Sequence, residues 1–317
     1  CRTDGTNLNN ANAGVGIAST SAGNLKIKNY DDYQANWNTS TEFTYGAKNP
    51  GSWANGLKVC FIDDLADQTL GITTTSPGDY GAIVGYAVTS ALSNVVIPGA
   101  GSTAGFSGYL KGIITGVSTD ATNSLSTVDV KIVSRVSSAG TETKIDYKQY
   151  TEYASFDTSD AIWFKNNSGI NTGAPNAPNT PVTFTPTVAE DWYDNQVLGL
   201  ENSVVYWKSL APRPSSNNYV TKRNGKNDGM HIAVVDDFGT ISGVQGAILE
   251  KHIALSKAED AISAVNSPQK IYFKQYLADY SDNIYAGYNP SNAKDTYWST
   301  EPISSGLGTD CTPSVSY

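Results

Sequence analysis

Two apolar, β-branched runs in this chain stop on adjacent aspartates: KVCFIDD over residues 58–64 and HIAVVDD over residues 231–237. Carboxylates at strand ends can hold a metal ion or divide acid and base roles. In glycoside hydrolysis the two carboxyls come from distant strand ends, and an aromatic-rich chain would suit a sugar-binding face. Asp63, Asp64, Asp236 and Asp237 are therefore the first chemical candidates. The two histidines of the chain, His231 and His252, extend the set. If their strands pair, both imidazoles with Asp236 and Asp237 form a conceivable metal site. Zinc and iron sites, however, bring histidines at short fixed spacings, which are absent here. Ordinary half-exposed strand histidines are the simpler expectation.

Other motifs carry less. Gly99-x-Gly101-x-x-Ala104 follows an apolar run, with Asp120 beyond it, in the manner of a dinucleotide fingerprint. Pro98 intrudes at the turn, and the continuation GFSGYLKGIITGVSTD is glycine-punctuated and β-like, so no helix N-terminus is there to hold a pyrophosphate. A glycine-rich loop fits better than a cofactor site. No serine sits in a Gly-x-Ser-x-Gly elbow, and no cysteine has a Cys/His protease context.

The elements that must position the aspartates offer a plainer account. VVDDFGTISG places Asp236, Asp237 and Gly239 between two β-patterned runs. Asp supplies side-chain to backbone bonds there, and Gly supplies positive φ, so a β-hairpin explains both aspartates without catalysis. In FIDDLAD a strand hands over to a turn or helix, where Asp is a preferred N-cap.

The length of 317 residues is enough for two or three domains. Hydrophobic residues make up 39% and charged residues 16%, while 19 Tyr and 6 Trp rule out a disordered composition. Ser, Thr, Asn and Gly fill the remainder, as in β-rich extracellular or virion proteins. With 21 basic against 30 acidic residues the net charge is −9, and TKRNGK (221–226) is the richest basic stretch. Nucleic acid and anionic membrane surfaces are disfavoured partners, since both need clustered cations. Cys1, Cys60 and Cys311 form no metal-ligand spacing, and Cys60 reads as a free thiol buried in a strand. Cys1 would suit a lipidated first residue, but a piece of a longer protein is the simpler expectation. The charge-free stretch 81–110 is interrupted by Tyr86, Thr89, Ser90, Ser93, Asn94 and Pro98, so it reads as buried structure and not as a membrane span. The Asn-x-Ser sequons at Asn38 and Asn166 matter only for a chain secreted by a eukaryote.

Along the chain, residues 1–40 look like the loop-rich end of an upstream domain. A mixed α/β domain is expected over 41–275, and 276–317 would begin a following domain or tail. The turns at Asn49-Pro50-Gly51 and Asn55-Gly56 lead into the strand ending at FIDD. Further strands are expected over 128–136, 142–153 and 161–165. Four prolines mark a break at 166–187. Thr187 and Glu190 form a capping box ahead of Trp192, Tyr193, Val197 and Leu198, predicting a helix. MHIAVVDD and VQGAILEKHIAL predict paired strands. Ser256 with Glu259 predicts a helix over SKAEDAISAV, and KIYFKQYLADY predicts a strand. The class is α+β: β-rich, mixed α/β, with long loops and more than one domain.

Two stretches also resemble a known family. NPGSWANGLKVCFIDDLADQ (49–68) and NDGMHIAVVDDFGTISGVQGAILEKHIALSKAEDA (227–261) resemble the contractile tail sheath proteins of long-tailed, contractile bacteriophages. The first match rests on Pro50, Gly51, Trp53, Asn55, Gly56, Leu57 and Val59. The second rests on Asp228, Met230, His231, Val234, Asp236, Gly239, Gly246, Leu249, Glu250, Ser256, Lys257, Ala258, Asp260 and Ala261. The two blocks come in the family's order and cover a sixth to a third of the chain; residues 70–205 are not matched residue by residue.

The resemblance implies a sheath-type domain and a structural, non-enzymatic subunit, with no catalytic, cofactor-binding or metal-ligating residues and no cofactor. Its implied partners are further copies of itself, in hexameric rings and a helical stack, together with the tail tube, baseplate and tail terminator proteins. Neighbours in the family are tied by extended terminal arms that add a strand to an adjacent sheet. The implied location is the virion tail sheath, with host cytoplasm during assembly. This chain departs from the family in lacking a recognisable N-terminal arm and C-terminal domain, so it reads as an internal fragment. The alternative from another class is a secreted or surface hydrolase acting on carbohydrate, or a sugar-binding module. An adhesin or surface-layer protein would share the composition without the motifs.

Overall fold

The computed structural model describes residues 12–13, 26–38, 43, 45–49, 51–66, 68–72, 75–95, 106–122, 125–144, 182–185, 189–200, 202–223, 227–263 and 268–287. The first half carries β1 (Asn12–Ala13), α1 (Tyr30–Asp32), β2 (Tyr45–Ala47) and β3 (Leu57–Asp63). Then come β4 (Gln68–Ile72), β5 (Ala87–Val95), β6 (Phe106–Asp120), β7 (Leu125–Ser137), β8 (Glu142–Lys144) and β9 (Val182–Thr185). The second half carries β10 (Val197–Gly199), β11 (Val204–Tyr206), α2 (Asn218–Thr221), β12 (Gly229–Asp236), β13 (Ala247–Ser256), α3 (Phe273–Tyr280) and β14 (Ile284–Ala286). The protein is β-rich, with several antiparallel sheets and few, short helices. Among the described residues no helix is long and apolar enough to cross a membrane.

Both aspartate-ended runs belong to one three-stranded sheet, ordered β13-β12-β3. β12 is its centre: Met230 pairs with Asp63, Asp236 with Leu57, and on the other side Asp236 pairs with Ala247 and Gly229 with Ser256. Every residue of β12 is buried, because both faces of the sheet are covered. On one face Phe61, Val59, Met230, Ile232 and Val234 share a core with Leu110, Val128, Val130 and Ile132 of the larger sheet and with Phe273 and Leu277 of α3. On the other, Cys60, Ile62, Ala233 and Val235 meet Trp192, Tyr193, Leu198 and Trp207. Two-sided burial is why these strands read as unbroken apolar runs instead of alternating ones. Each such aliphatic or aromatic side chain contributes roughly 1.5–3 kcal/mol when fully buried.

The larger sheet is ordered β4-β7-β6-β5-β9, with β8 also on β7, and all its pairs are antiparallel. The expected strand over 128–136 lies inside β7. β1, β2 and β14 make a third sheet and β10 with β11 a fourth. Residues 26–38 pack on the α3–β14 unit: Tyr33 stacks on Tyr285 with ring centroids 4.4 Å apart, and Lys274 Nζ donates to Asn38 O at 3.1 Å.

Three local expectations are corrected. The helix expected after Thr187 is one 3-10 turn, Trp192–Asn195, capped by Asp191, whose carboxylate accepts the Tyr193 N–H; Val197 and Leu198 are in β10. Among the described residues 256–263 the helix expected after Ser256 does not form, because Ser256 Oγ donates to Asp228 while accepting the Ala258 N–H, which closes a turn and not a helix. Instead the helix is α3, where a strand was expected. Phe273 and Leu277, four residues apart, are both buried, so the aromatic run follows the helical period despite its β-type composition. The strand expected at 161–165, the strand over 142–153 beyond β8, the Gly99–Ala104 fingerprint, Thr187, Cys1, Cys311 and Asn166 lie outside the described residues.

Candidate functional site

Asp63 ends β3, and its carboxylate is fully buried. Lys131 Nζ, from the middle of β7, lies 3.2 Å from Oδ1 and also donates to the Asp63 main-chain oxygen at 3.0 Å. Lys257 Nζ, from the residue after β13, lies 3.2 Å from Oδ2. Lysines are almost never fully buried unless paired, yet these two are 0% and 1% exposed. The Lys131 ammonium also sits 4.7 Å from the centroid of the Trp192 ring, a cation–π contact out of water.

Two more carboxyls balance the cluster. Burial pushes the Asp64 carboxyl up to about 6, with the nearby Lys257 charge acting against that shift. Ser216 Oγ donates to its Oδ2 at 3.4 Å, while Oδ1 is buried without a hydrogen-bond partner. Burial also raises the Asp228 carboxyl, opposed by the Ser256 hydroxyl, the Asn217 N–H at 3.0 Å and the Lys257 charge. Lys257 N–H donates to the Asp228 main-chain oxygen at 2.8 Å. Asp63, Lys131, Lys257 and Asp228 are buried, while Asp64 and Ser216 at the margin are half-buried.

Asp236 and Asp237 do a different job. The Asp236 carboxylate accepts the N–H groups of Thr240 (3.0 Å), Ile241 (2.8 Å) and Ser242 (2.7 Å) and the Ser242 hydroxyl (2.9 Å). Burial alone would raise its carboxyl, but these donors outweigh it and hold the group below its usual range. Asp237 pairs with Lys58 Nζ at 2.6 Å, and its N–H donates to Gly56 O at 3.0 Å. The β12–β13 connection is thus a capped hairpin loop, as its Asp and Gly content predicts. At Gly239 φ is +73°, and a Cβ would meet Gln245 N at 2.8 Å.

The histidines are buried, which corrects the half-exposed reading. Ala254 N–H donates to His231 Nδ1 at 3.0 Å, so Nε2 carries the hydrogen and donates to Pro212 O at 2.8 Å. His252 Nε2 is 2.7 Å from Glu250 Oε2. His252 pairs across the ladder with Ile232 and not with His231, and the two imidazoles serve separate partners. Among the described residues no group of three His, Cys, Asp or Glu could hold a metal ion. Asp63, Asp64 and the Asp236–Asp237 loop lie at opposite ends of β12, so the four aspartates do not form one site.

Compared with known proteins, the chain matches no family model, no curated protein and no solved structure.

Sequence reasoning missed Lys131, and it named Lys257 only within the resemblance, not as a partner of Asp63. In VDVKIVSRV the lysine alternates with Val130 and Ile132, which reads as an outward-facing position on a half-exposed strand. The one available signal was an isolated lysine inside a strongly apolar, β-branched run. Its partner is 68 positions away, and that of Lys257 is 194 away.

Proposed function

We propose that this chain is a structural subunit of a contractile phage tail sheath, working by assembly and not by catalysis. What carries the reading is the use made of the residues that give the resemblance. Among the described residues of 49–68 and 227–261, both blocks lie in one sheet and several of the matching residues have a structural task. Gly51, at φ +132°, lets the chain pass Trp53, whose Nε1 donates to Asn49 O at 3.1 Å. Gly56 leaves room for Phe238 and Thr240, since a Cβ there would meet Thr240 Oγ1 at 2.9 Å. Asp228 holds Ser256, His231 holds Ala254, Asp236 holds its loop and Glu250 holds the turn after α3.

A subunit of this kind would form rings around a tail tube, contact baseplate and terminator proteins, and reside in the virion after assembly in host cytoplasm. Among the described residues β13 pairs with β12 on one side and makes a single bridge, Ser256 to Tyr272, beyond it. Most of its outer edge would suit strand addition from a neighbouring copy. Shortening of the sheath then needs no reacting group, only two lattice packings of similar free energy. Electron microscopy of the full-length protein is expected to show rings or tubes. A persistent monomer at high concentration, with terminal arms present, would sink the proposal.

A further inference from the structure

Two ammonium groups on one carboxylate, with all three side chains sealed from solvent, is an expensive arrangement in a dry interior. Condensing one pair into a neutral group removes two buried charges at once. We propose that Lys257 and Asp63 become joined by an intramolecular amide bond. Nζ of Lys257 attacks Cγ of Asp63; a C–N bond forms and the Cγ–Oδ2 bond breaks. Starting from ammonium and carboxylate, one proton stays on the amide nitrogen and two leave with Oδ2 as water. Atoms and charge balance without oxidant, metal or cofactor.

The surroundings supply each requirement. The fold holds the amine one hydrogen-bond length, 3.2 Å, from the oxygen that must leave, so the usual entropic barrier to meeting is already met by folding. Lys131 is pinned by the Asp63 main-chain oxygen and the Trp192 face. It stands on Oδ1, where negative charge develops in the tetrahedral intermediate. Asp64 is assigned the proton shuttle because it adjoins Asp63 in the chain and its Oδ1 is buried without a hydrogen-bond partner. With its carboxyl held up to about 6, it can take a proton from Lys257 and return it to Oδ2 near neutral pH. Asp228 is less suited, because Ser256 Oγ and the Asn217 N–H already occupy its oxygens.

The bond would staple the two outer strands of the sheet across the central one, since Asp63 pairs with Met230 while Ser256, beside Lys257, pairs with Gly229. Lys257 and Asp228 are also among the residues of the resemblance, but the cross-link does not depend on the sheath reading. Intact mass measurement of the denatured full-length protein is expected to give one water less than the sequence mass. Tandem mass spectrometry of a tryptic digest should then find a branched peptide joining the Asp63 and Lys257 segments. Lys257→Arg, if folded by circular dichroism, should return to the full mass. Asp64→Asn should slow cross-linking at least tenfold. A wild-type chain at its full sequence mass, or a branch elsewhere, overturns the cross-link; an Asp64→Asn chain that cross-links at the wild-type rate overturns the shuttle.

Discussion

The Glu250 carboxylate on β13 accepts the side-chain amide of Asn283 at 2.6 Å, fastening the turn after α3 to the central sheet. The same carboxylate accepts the Ser281 hydroxyl at 2.7 Å, the Asp282 and Asn283 N–H groups at 2.9 Å each, and lies 2.7 Å from His252 Nε2. Burial pushes this carboxyl up, but the bonds from His252, Ser281 and Asn283 outweigh it and hold the group at about 2 against an ordinary 4.5. A depressed carboxyl stabilises the fold above its ordinary value and loses that contribution as pH falls through the folded one. Glu250→Gln is therefore expected to cost roughly 2–3 kcal/mol at neutral pH. It should also flatten the acid limb of stability between pH 4.5 and 2. Urea titrations of both chains at pH 7 and pH 3 check this; an unchanged difference at the two pH values would count against it.

Asp64 works with the opposite sign. Its carboxyl is raised from 3.8 to about 6 by burial, and Asp228 is raised as well. The folded protein thus binds more protons than the unfolded one between those values, so stability falls as pH rises from 3.8 through 6. The thermal midpoint should climb on moving from pH 7 towards pH 4. Asp64→Asn should reduce that slope, whatever it does to the absolute midpoint. A pH series of scanning calorimetry reads the slope directly.

Ala254 has φ +58°, at the irregular part of the β12–β13 ladder, and its N–H is held by His231. A β-branched residue fits an exposed strand position in general but not this backbone. Ala254→Val is expected to destabilise by roughly 1–2 kcal/mol, and Ala254→Gly to be tolerated. His231→Ala leaves the Ala254 N–H and Pro212 carbonyl without their partner and should cost roughly 2–3 kcal/mol. Chemical denaturation of the three variants ranks them; a stabilised Ala254→Val would refute the strain argument.

Gly229 opens β12 beneath the segment at Ser215. A Cβ there would lie 2.1 Å from Ser215 O, a backbone atom that cannot rotate aside. Gly229→Ala should therefore displace the 211–217 segment or cost roughly 3 kcal/mol or more. Limited proteolysis should show new cleavage in 211–217, and protection equal to wild type would contradict the prediction.

Much of the central sheet was legible in advance because its signals are local. KVCFIDD and HIAVVDD are apolar and β-branched, and a strand follows from that wherever the chain can bury both faces. Asp236 and Gly239 likewise announce their loop, since a carboxylate near free N–H groups and a residue able to take positive φ act within six residues. Less legible were α3 and the turn after Ser256. Ile271, Tyr272 and Phe273 have strand-type side chains, and burial of Phe273 and Leu277 against the common core decided for a helix. Ser256 had the residue type of a helix cap, but Asp228, 28 positions away, claimed its hydroxyl.

By itself, then, the sequence determined a β-rich chain, the β3 and β12 strands and the capped hairpin. Those depend on backbone preference and on short-range side-chain to backbone bonds. Only the tertiary structure decided that the Asp63 carboxyl is buried between Lys131 and Lys257. Which charges share a dry interior is settled by how distant strands stack, and no spacing along the chain records it.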